Sequence, residues 1–320
     1  MSNCQICKNG LNNKDFIVRE MMFGFQDEFG YFECAKCGCL QIKEIPKNIS
    51  KYYPDNYYSY APCELPRDSF FKSLMIHLRA RHRLYSKKII PILKTEAFGS
   101  YQWLRKPKLK FNSTVLDVGC GSGSMLLDMR RLGFSNDLIG VDPFIPKDII
   151  YDNGVKILKK ELFEIEQQFD FIILHHSFEH MTEPLNVFKE LYRLLKPNRY
   201  VLICIPIASS FAWRHYGVNW VNLDAPRHYH LHTPTSMEIL AEETGFQVKE
   251  IVYDSVDLQF WGSEQYLKGI PLRSPDSYAE NKETSIFSKK EIASFQTRAN
   301  ELNKNNDGDF ASFYLHKPLN

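Results

Sequence analysis

Three groups of side chains have the types and spacings that do chemistry. Four cysteines come in two pairs, Cys4 with Cys7 and Cys34 with Cys37, each pair two residues apart. A C-x2-C turn presents two thiolates together, and two such turns complete a tetrahedral site for zinc. Protein fills all four positions, so a zinc ion there is read as structural. Cys39 is a spare thiol that could exchange with Cys37, and a redox pair is the alternative use of the spacing. The second group is His175, His176 and Glu179-His180 in one stretch, with His228 in another. An imidazole, with an unperturbed pKa of about 6.5, is well suited to take a proton at neutral pH. The third group is a glycine-rich turn, Asp117, Gly119, Cys120, Gly121 and Gly123. Glycine permits positive φ and close approach of a ligand to the backbone.

The nucleotide held by this turn is narrowed by what the turn lacks. The dinucleotide fingerprint needs a third glycine where this chain has Ser124. A P-loop needs Gly-Lys-Ser/Thr after the turn, and none follows. D-x-G-x-G-x-G remains.

These groups need elements to position them. A β-branched, apolar strand leads into the glycine turn, and residues 124–132 read as a helix whose N-terminus offers free N–H groups. Residues 136–142 read as a second strand ending in Asp142, about 20 residues past the turn, where a carboxylate accepts ribose hydroxyls. Pro143 and Phe144 follow and could wall an adenine. Residues 155–158 are a third strand. Residues 169–174 are a continuous apolar run, as in a buried parallel strand, which delivers residues 175–181 to the carboxyl edge of the sheet. A helix over 184–195 starts with proline in its first turn and ends at Lys196-Pro197-Asn198. Residues 200–206 are the next strand. This β-α-β-α-β rhythm predicts a parallel sheet with right-handed crossovers. A long loop over 207–233 carries Trp213, Trp220, Asp224, Arg227, His228, Tyr229, His230 and His232, and loops of that length are usually functional. A helix over 234–244 closes at Gly245, a strand follows over 246–253, and 310–315 reads as a final edge strand. Residues 262–308 read as a charged, Asn-rich insertion with a helix near 289–303.

Upstream of the core, residues 1–45 form a separate unit too small to bury much apolar core, which suits a metal staple. Residues 46–68 are a Tyr- and Pro-rich linker that includes Tyr57, Tyr58 and Pro62. Its tyrosines pack the linker on a neighbouring domain or stack on a substrate ring. Residues 70–93 form a basic helix with Phe71, Leu74, Met75, Leu78 and Leu84 at helical spacing, ended or kinked by Pro91. Its cations form either a solvated face or a seat for phosphates. The whole chain of 320 residues has a net charge of only +2 and a 44% hydrophobic fraction. That balance provides a large core and argues against nucleic acid as partner. No apolar run approaches the roughly 20 residues of a membrane span, and no secretory signal is visible. The cytoplasm is the expected compartment, where eight cysteines read as thiols or metal ligands rather than disulfides.

The glycine turn, Asp142, the strand-borne Glu179-His180 and Leu194-Leu195-Lys196-Pro197 together resemble the class I methyltransferases that use S-adenosylmethionine (SAM). The resemblance implies an α/β fold with a Rossmann-like seven-stranded sheet over 111–320. It precedes this with a linker and basic helix over 46–110 and a zinc-ribbon-like module over 1–45. It implies SAM held by Asp117, Gly119, Cys120, Gly121, Gly123, Asp142, Pro143 and His175, with Glu161 and Leu162 edging the adenine. The cysteine knuckles, the Tyr-Tyr-Pro linker and Arg227-His228-Tyr229-His230 are similar to sugar C-methyltransferases acting on nucleotide-linked deoxysugars. That likeness implies Glu179 and His180 beside the acceptor, with His176 and His228 as the other candidate bases. Those enzymes carry a further C-terminal domain, and this chain ends at Asn320, so O-methylation of a saccharide stands beside C-methylation. An RNA or protein methyltransferase gripping its substrate through the zinc unit, or a non-catalytic SAM-binding scaffold, are the competing readings.

Overall fold

A computed structural model of the chain describes residues 2–54, 63, 68–85 and 103–319. Tyr57, Tyr58 and Pro62 of the expected linker, and Pro91 of the expected helix end, lie outside the described residues. In chain order the strands and helices are β1 (Lys14–Arg19), β2 (Glu28–Glu33), β3 (Leu40–Ile42), α1 (Phe70–Tyr85), β4 (Val115–Val118) and α2 (Ser124–Leu132). Then come β5 (Leu138–Val141), β6 (Ile149–Ile150), β7 (Lys156–Leu158), β8 (Phe169–His175), α3 (Pro184–Leu194) and β9 (Leu195–Pro206). The chain finishes with α4 (Phe211–Tyr216), β10 (His230–Leu231), α5 (Pro234–Thr244), β11 (Gln247–Tyr253), α6 (Leu258–Leu267), α7 (Lys289–Lys304) and β12 (Phe310–Lys317).

The larger sheet runs β11-β12-β9-β8-β4-β5-β7-β6. β4 is parallel to both β5 and β8, and β5 is parallel to β7. This is the Rossmann-like sheet the sequence implies, with one addition. The two-residue β6 pairs antiparallel with β7 and makes an eighth strand. β12 also departs from expectation: it lies between β11 and β9 rather than at an edge. Its run from Ala311 to Leu315 is buried throughout, the mark of a strand covered on both faces. β9 begins at Leu195, ahead of the expected Tyr200, and takes Pro197 into the strand.

By compactness the chain divides into two units that do not follow the linear divisions at 45 and 110. One comprises Met1–Asp55, His176–Phe188 and Ile203–Tyr314; the other comprises Asn56–His175, Lys189–Leu202 and Leu315–Asn320.

In the first unit the N-terminal strands form a sheet of order β1-β2-β3-β10. His230 pairs with Gln41 and Leu231 with Leu40, so the knuckle segment takes its fourth strand from the region expected to be a long loop. That region also holds α4 and two short 3-10 turns, Gly217–Asn219 and Val221–Leu223. The reason is its apolar content: Ala212, Trp213, Tyr216, Trp220, Val221 and Leu223 pack with Tyr31, Leu40 and Phe260 in one core. α6 contributes to the same core and Gly262 lies within it, where an added Cβ would come 2.7 Å from Val221. The expected insertion boundary at 262 therefore falls inside a packed helix.

In the second unit β8 is almost wholly buried, with Phe169 and Phe171 to Leu174 at 0% exposure. α2 buries Leu126, Leu127, Met129 and Leu132 and stops at Gly133, whose φ of 108° suits glycine. The apolar stripe of α1 is less covered than its spacing predicts. Leu84 is buried, but Phe71, Leu74, Met75 and Leu78 are exposed among the described residues. The α1 cation Lys72 lies 2.7 Å from Asp68, and Arg131 of α2 lies 2.5 Å from the same carboxylate.

Candidate active site

The glycine turn continues directly from β4. Gly119, Gly121 and Gly123 have φ of 71°, 54° and 85°, the left-handed region open to glycine. Gly123 is also fixed by packing, since a Cβ there would lie 2.3 Å from Ile157 Cδ1. Asp142, just past β5, organises the turn. Its Oδ2 accepts the Gly121 N–H at 2.9 Å and its Oδ1 accepts the Phe144 N–H at 2.9 Å. Asp117 is 3% exposed. Burial, and then the charge of Asp142, push its carboxyl up to about 7. Burial also raises the Cys120 thiol, reinforced by Asp117 and Asp142.

Two residues that the sequence did not single out hold this turn. The Tyr151 hydroxyl donates to the Ser122 carbonyl at 2.7 Å, and Cys63 Sγ lies 3.0 Å from Ser122 Oγ. A lone tyrosine beyond β6 carries no pattern that would have marked it. Pro143 is half-buried, and Phe144 is 69% exposed. Leu162 is buried and opens the 3-10 turn Leu162–Glu164. Glu161 lies exposed at its head, its N–H donating to Glu164 Oε2 at 2.7 Å. His175, the last residue of β8, is exposed. The structure thus gathers Asp117, the glycines, Cys120 and Asp142 into one turn, and leaves Glu161 and His175 with solvent-facing side chains.

The histidine stretch and the 207–233 region meet within the first unit. Glu179 is fully buried. Its Oε1 lies 3.6 Å from His176 Nδ1 and 3.9 Å from His228 Nε2. The rings of His180 and His228 stand edge to face, 4.8 Å apart. Burial alone would raise the Glu179 carboxyl, but the surrounding imidazoles of His176, His180 and His228 outweigh it and hold the group at about 2. His180 Nδ1 lies 2.8 Å from the Arg227 carbonyl, and His228 Nδ1 lies 2.8 Å from the Asn222 carbonyl. A carbonyl only accepts, so each Nδ1 carries a proton, and each neutral ring leaves Nε2 as its basic atom. Burial, and then the neighbouring His180, push His228 down to about 4. His176 has a φ of 54° and stacks on Phe310 at 4.4 Å.

Arg227 fixes this arrangement. It is fully buried, donating to Asp224 Oδ1 at 2.6 Å and to Glu20 Oε1 at 2.9 Å. Glu20 in turn accepts the N–H groups of Phe23 and Phe25. Tyr31 donates to the His228 carbonyl at 2.8 Å, and the Tyr229 N–H donates to the Glu179 carbonyl at 2.8 Å. Glu20, Tyr31 and Asn222 were not foreseen, because their roles arise only when distant segments meet. His230 and His232 are buried. His230 Nδ1 lies 3.1 Å from the Met181 carbonyl, and His232 stacks on Phe178.

Cys4, Cys7, Cys34 and Cys37 place their sulfurs within 4.8 Å of one another. Cys4 Sγ is 3.6 Å from Cys37 Sγ, and Cys7 Sγ is 3.4 Å from Cys34 Sγ, near the roughly 3.8 Å edge of a tetrahedron with 2.3 Å zinc–sulfur bonds. Gln41 Nε2 donates to Cys4 Sγ at 2.9 Å, a contact that favours thiolate. The hydrogen bond with Cys37 lowers the Cys4 thiol and raises that of Cys37. Cys39 stands outside the four, buried, with Sγ directed at the Leu40 carbonyl. Thr233, the N-cap of α5, donates to the Cys37 carbonyl at 2.6 Å.

A family model described as a methyltransferase domain matches residues 79–251, more than half of the chain. Among curated proteins, a ubiquinone biosynthesis O-methyltransferase of Azorhizobium caulinodans is 25% identical over 154 residues, covering 43% of this chain and 60% of that protein. A protein of the same description from Pseudomonas paraeruginosa is 26% identical over 169 residues, covering 47% of this chain and 71% of its own length. The chain thus spans well under the full length of these relatives. Among solved structures, a SAM-dependent methyltransferase of Thermotoga maritima, described as a possible histamine N-methyltransferase, aligns with a TM-score of 0.39 at 17% identity over 64% of this chain and 82% of that one. With the strand order, the glycine turn and the family match together, the chain belongs to the methyltransferase-domain family and carries a class I SAM-dependent methyltransferase domain.

Proposed function

We propose that this enzyme transfers the SAM methyl group to a hydroxyl of a small molecule, a saccharide or nucleotide-linked sugar, with His180 as the base. One O–C bond forms as the sulfonium S–C bond breaks. S-adenosylhomocysteine leaves, and the hydroxyl proton passes to His180 Nε2. The cluster of Glu179, His180 and His228 carries the reading. His180 Nδ1 is held against a backbone carbonyl at 2.8 Å, which directs basicity to Nε2. The buried Glu179 anion favours the imidazolium that forms. His228, held at about 4, is a poor proton acceptor at neutral pH. SAM itself supplies the activated methyl. Asp142 is the residue assigned to the ribose, the glycine turn with Asp117 to the methionine part, and Leu162 and Pro143 to the adenine. The four cysteines are assigned to a structural Zn2+, which their spacing and the Gln41 donor suit.

A phenolic hydroxyl is the second reading, favoured by the description of the curated relatives as ubiquinone biosynthesis O-methyltransferases. The decisive experiment incubates nucleotide sugars and polyprenylated phenols with enzyme and SAM and follows the gain of one methylene mass. The same panel is run with His180→Ala. Methylated sugar, and a loss of about 10²–10⁴ in turnover with SAM affinity kept, are expected. Methylated phenol alone selects the second reading, and full turnover by His180→Ala overturns the base.

A further inference from the structure

We propose that Glu179, His180 and His228 form a binding site for a first-row divalent metal ion, separate from the four cysteines. Donor atoms of these three residues lie within 4.8 Å of one another. The strongest observation is the state of Glu179. The residue is fully buried, and neither carboxylate oxygen has a hydrogen-bond partner among the described residues. A desolvated carboxylate without hydrogen bonds is costly, and a coordinated cation is one of the few occupants that would satisfy both oxygens. The buried guanidinium of Arg227 is engaged by Glu20 and Asp224.

The two imidazoles point the same way. His180 and His228 each hold Nδ1 at 2.8 Å from a backbone carbonyl. That contact fixes the tautomer and turns a lone pair outward on Nε2, the usual outer support of a metal-bound histidine. His228 Nε2 is already 3.9 Å from Glu179 Oε1. Coordination at about 2.0–2.2 Å would draw such donors to roughly 3–3.5 Å apart, a change within reach of small side-chain rotations. Two imidazoles and one carboxylate suit zinc, iron, cobalt or manganese rather than calcium, and such a set leaves positions open for water or a ligand oxygen. His176, with Nδ1 3.6 Å from Glu179 Oε1 and its side chain 47% exposed, is placed to join as a fourth donor.

The binding site stands on the cluster alone. Its use rests on the reading of this cluster as the acceptor site: a cation there would polarise an acceptor hydroxyl. Because His180 Nε2 has a single lone pair, the base role proposed above belongs to the metal-free cluster and the ligand role to the metal-loaded one.

The test uses full-length protein, stripped of metal and titrated with Co2+ in the absence of acceptor. Cobalt held by the cysteines shows thiolate charge transfer together with d–d bands of its own. The nitrogen and oxygen site is therefore read as a further equivalent whose d–d absorption grows after the charge-transfer band has saturated. We expect both. We expect the further d–d component to weaken about tenfold or more in Glu179→Gln and in His228→Gln, with the charge-transfer band and SAM binding unchanged. Glu179→Gln conserves shape, so it carries the test alone should His228→Gln not fold. No further d–d absorption once thiolate charge transfer has saturated, or a further component indifferent to Glu179→Gln, overturns the proposal. Because no acceptor is present, failure here leaves the hydroxyl-methylation reading intact, and failure of the substrate panel leaves this site intact.

Discussion

Around the glycine turn, the side chains that matter come from neighbouring stretches of chain: Asp117 and the glycines from one loop, Asp142 from the next strand end, Tyr151 and Leu162 soon after. Around Glu179 they come from Glu20, Tyr31, Asn222, Asp224, Arg227 and His228, and the sheet beneath them joins residue 41 to residue 230. The first arrangement needs one strand, one turn and one helix to form. The second needs several distant segments to close at once, each bringing a buried polar group that another must satisfy. A cradle built locally tolerates change far away, while a cluster built from distant pieces depends on all of them.

The largest effect that would test this contrast is at Arg227. Truncation leaves Glu20 and Asp224 buried without their cation, and breaking such a pair costs about 3–5 kcal/mol. Arg227→Ala should lower the urea midpoint and expose β1, β2, β3 and β10 to hydrogen exchange, while SAM binding persists. Simultaneous loss of SAM affinity would show that the two arrangements are not independent.

Next in size is a pH effect at Asp117. Burial holds its folded pKa at about 7, above the ordinary aspartate value of about 3.9. Between those values the unfolded chain has released the proton and the folded protein still holds it, so stability falls as pH rises from about 4 to 7. The full contribution is about 4 kcal/mol. Urea unfolding across that range should show the decline, and Asp117→Asn should remove it. A variant that declines as steeply as the parent would place the buried charge elsewhere.

The smallest expected effect is at Asp142. Asp142→Ala removes the acceptor for the Gly121 and Phe144 N–H groups, at roughly 1–3 kcal/mol. Calorimetry should find SAM affinity reduced about tenfold to a hundredfold, with the four-cysteine site and β1–β3 undisturbed. Unchanged affinity would remove Asp142 from the cofactor site.

Much of the Rossmann-like sheet and its helices could be read directly. The turn at 117–123 and the acid at 142 stand out by residue type and spacing, and α2, α3 and α5 begin and end within a residue of where capping and periodicity place them. The limits of that reading have physical causes. β12 looks like an edge strand because its position in the sheet depends on which strands flank it, a fact absent from its own residues. The 207–233 stretch reads as a loop because its aromatic residues lack a regular period, yet Trp213 and Trp220 have a core to enter once Tyr31 and Phe260 are beside them. The stripe on α1 shows the converse, since helical spacing by itself did not bury Phe71 or Leu74.

By itself the sequence determined the fold class, the glycine-rich turn and the pairing of four thiols, because each depends on residues a few positions apart whose geometry follows from turns and strand ends. Only the tertiary structure decided that His228 would stand beside Glu179 and His180, that Arg227 would be neutralised by Glu20, and that neither oxygen of Glu179 would have a hydrogen-bond partner among the described residues. Those outcomes come from burying polar groups that are far apart in the chain, and which group satisfies which is settled only when the segments pack.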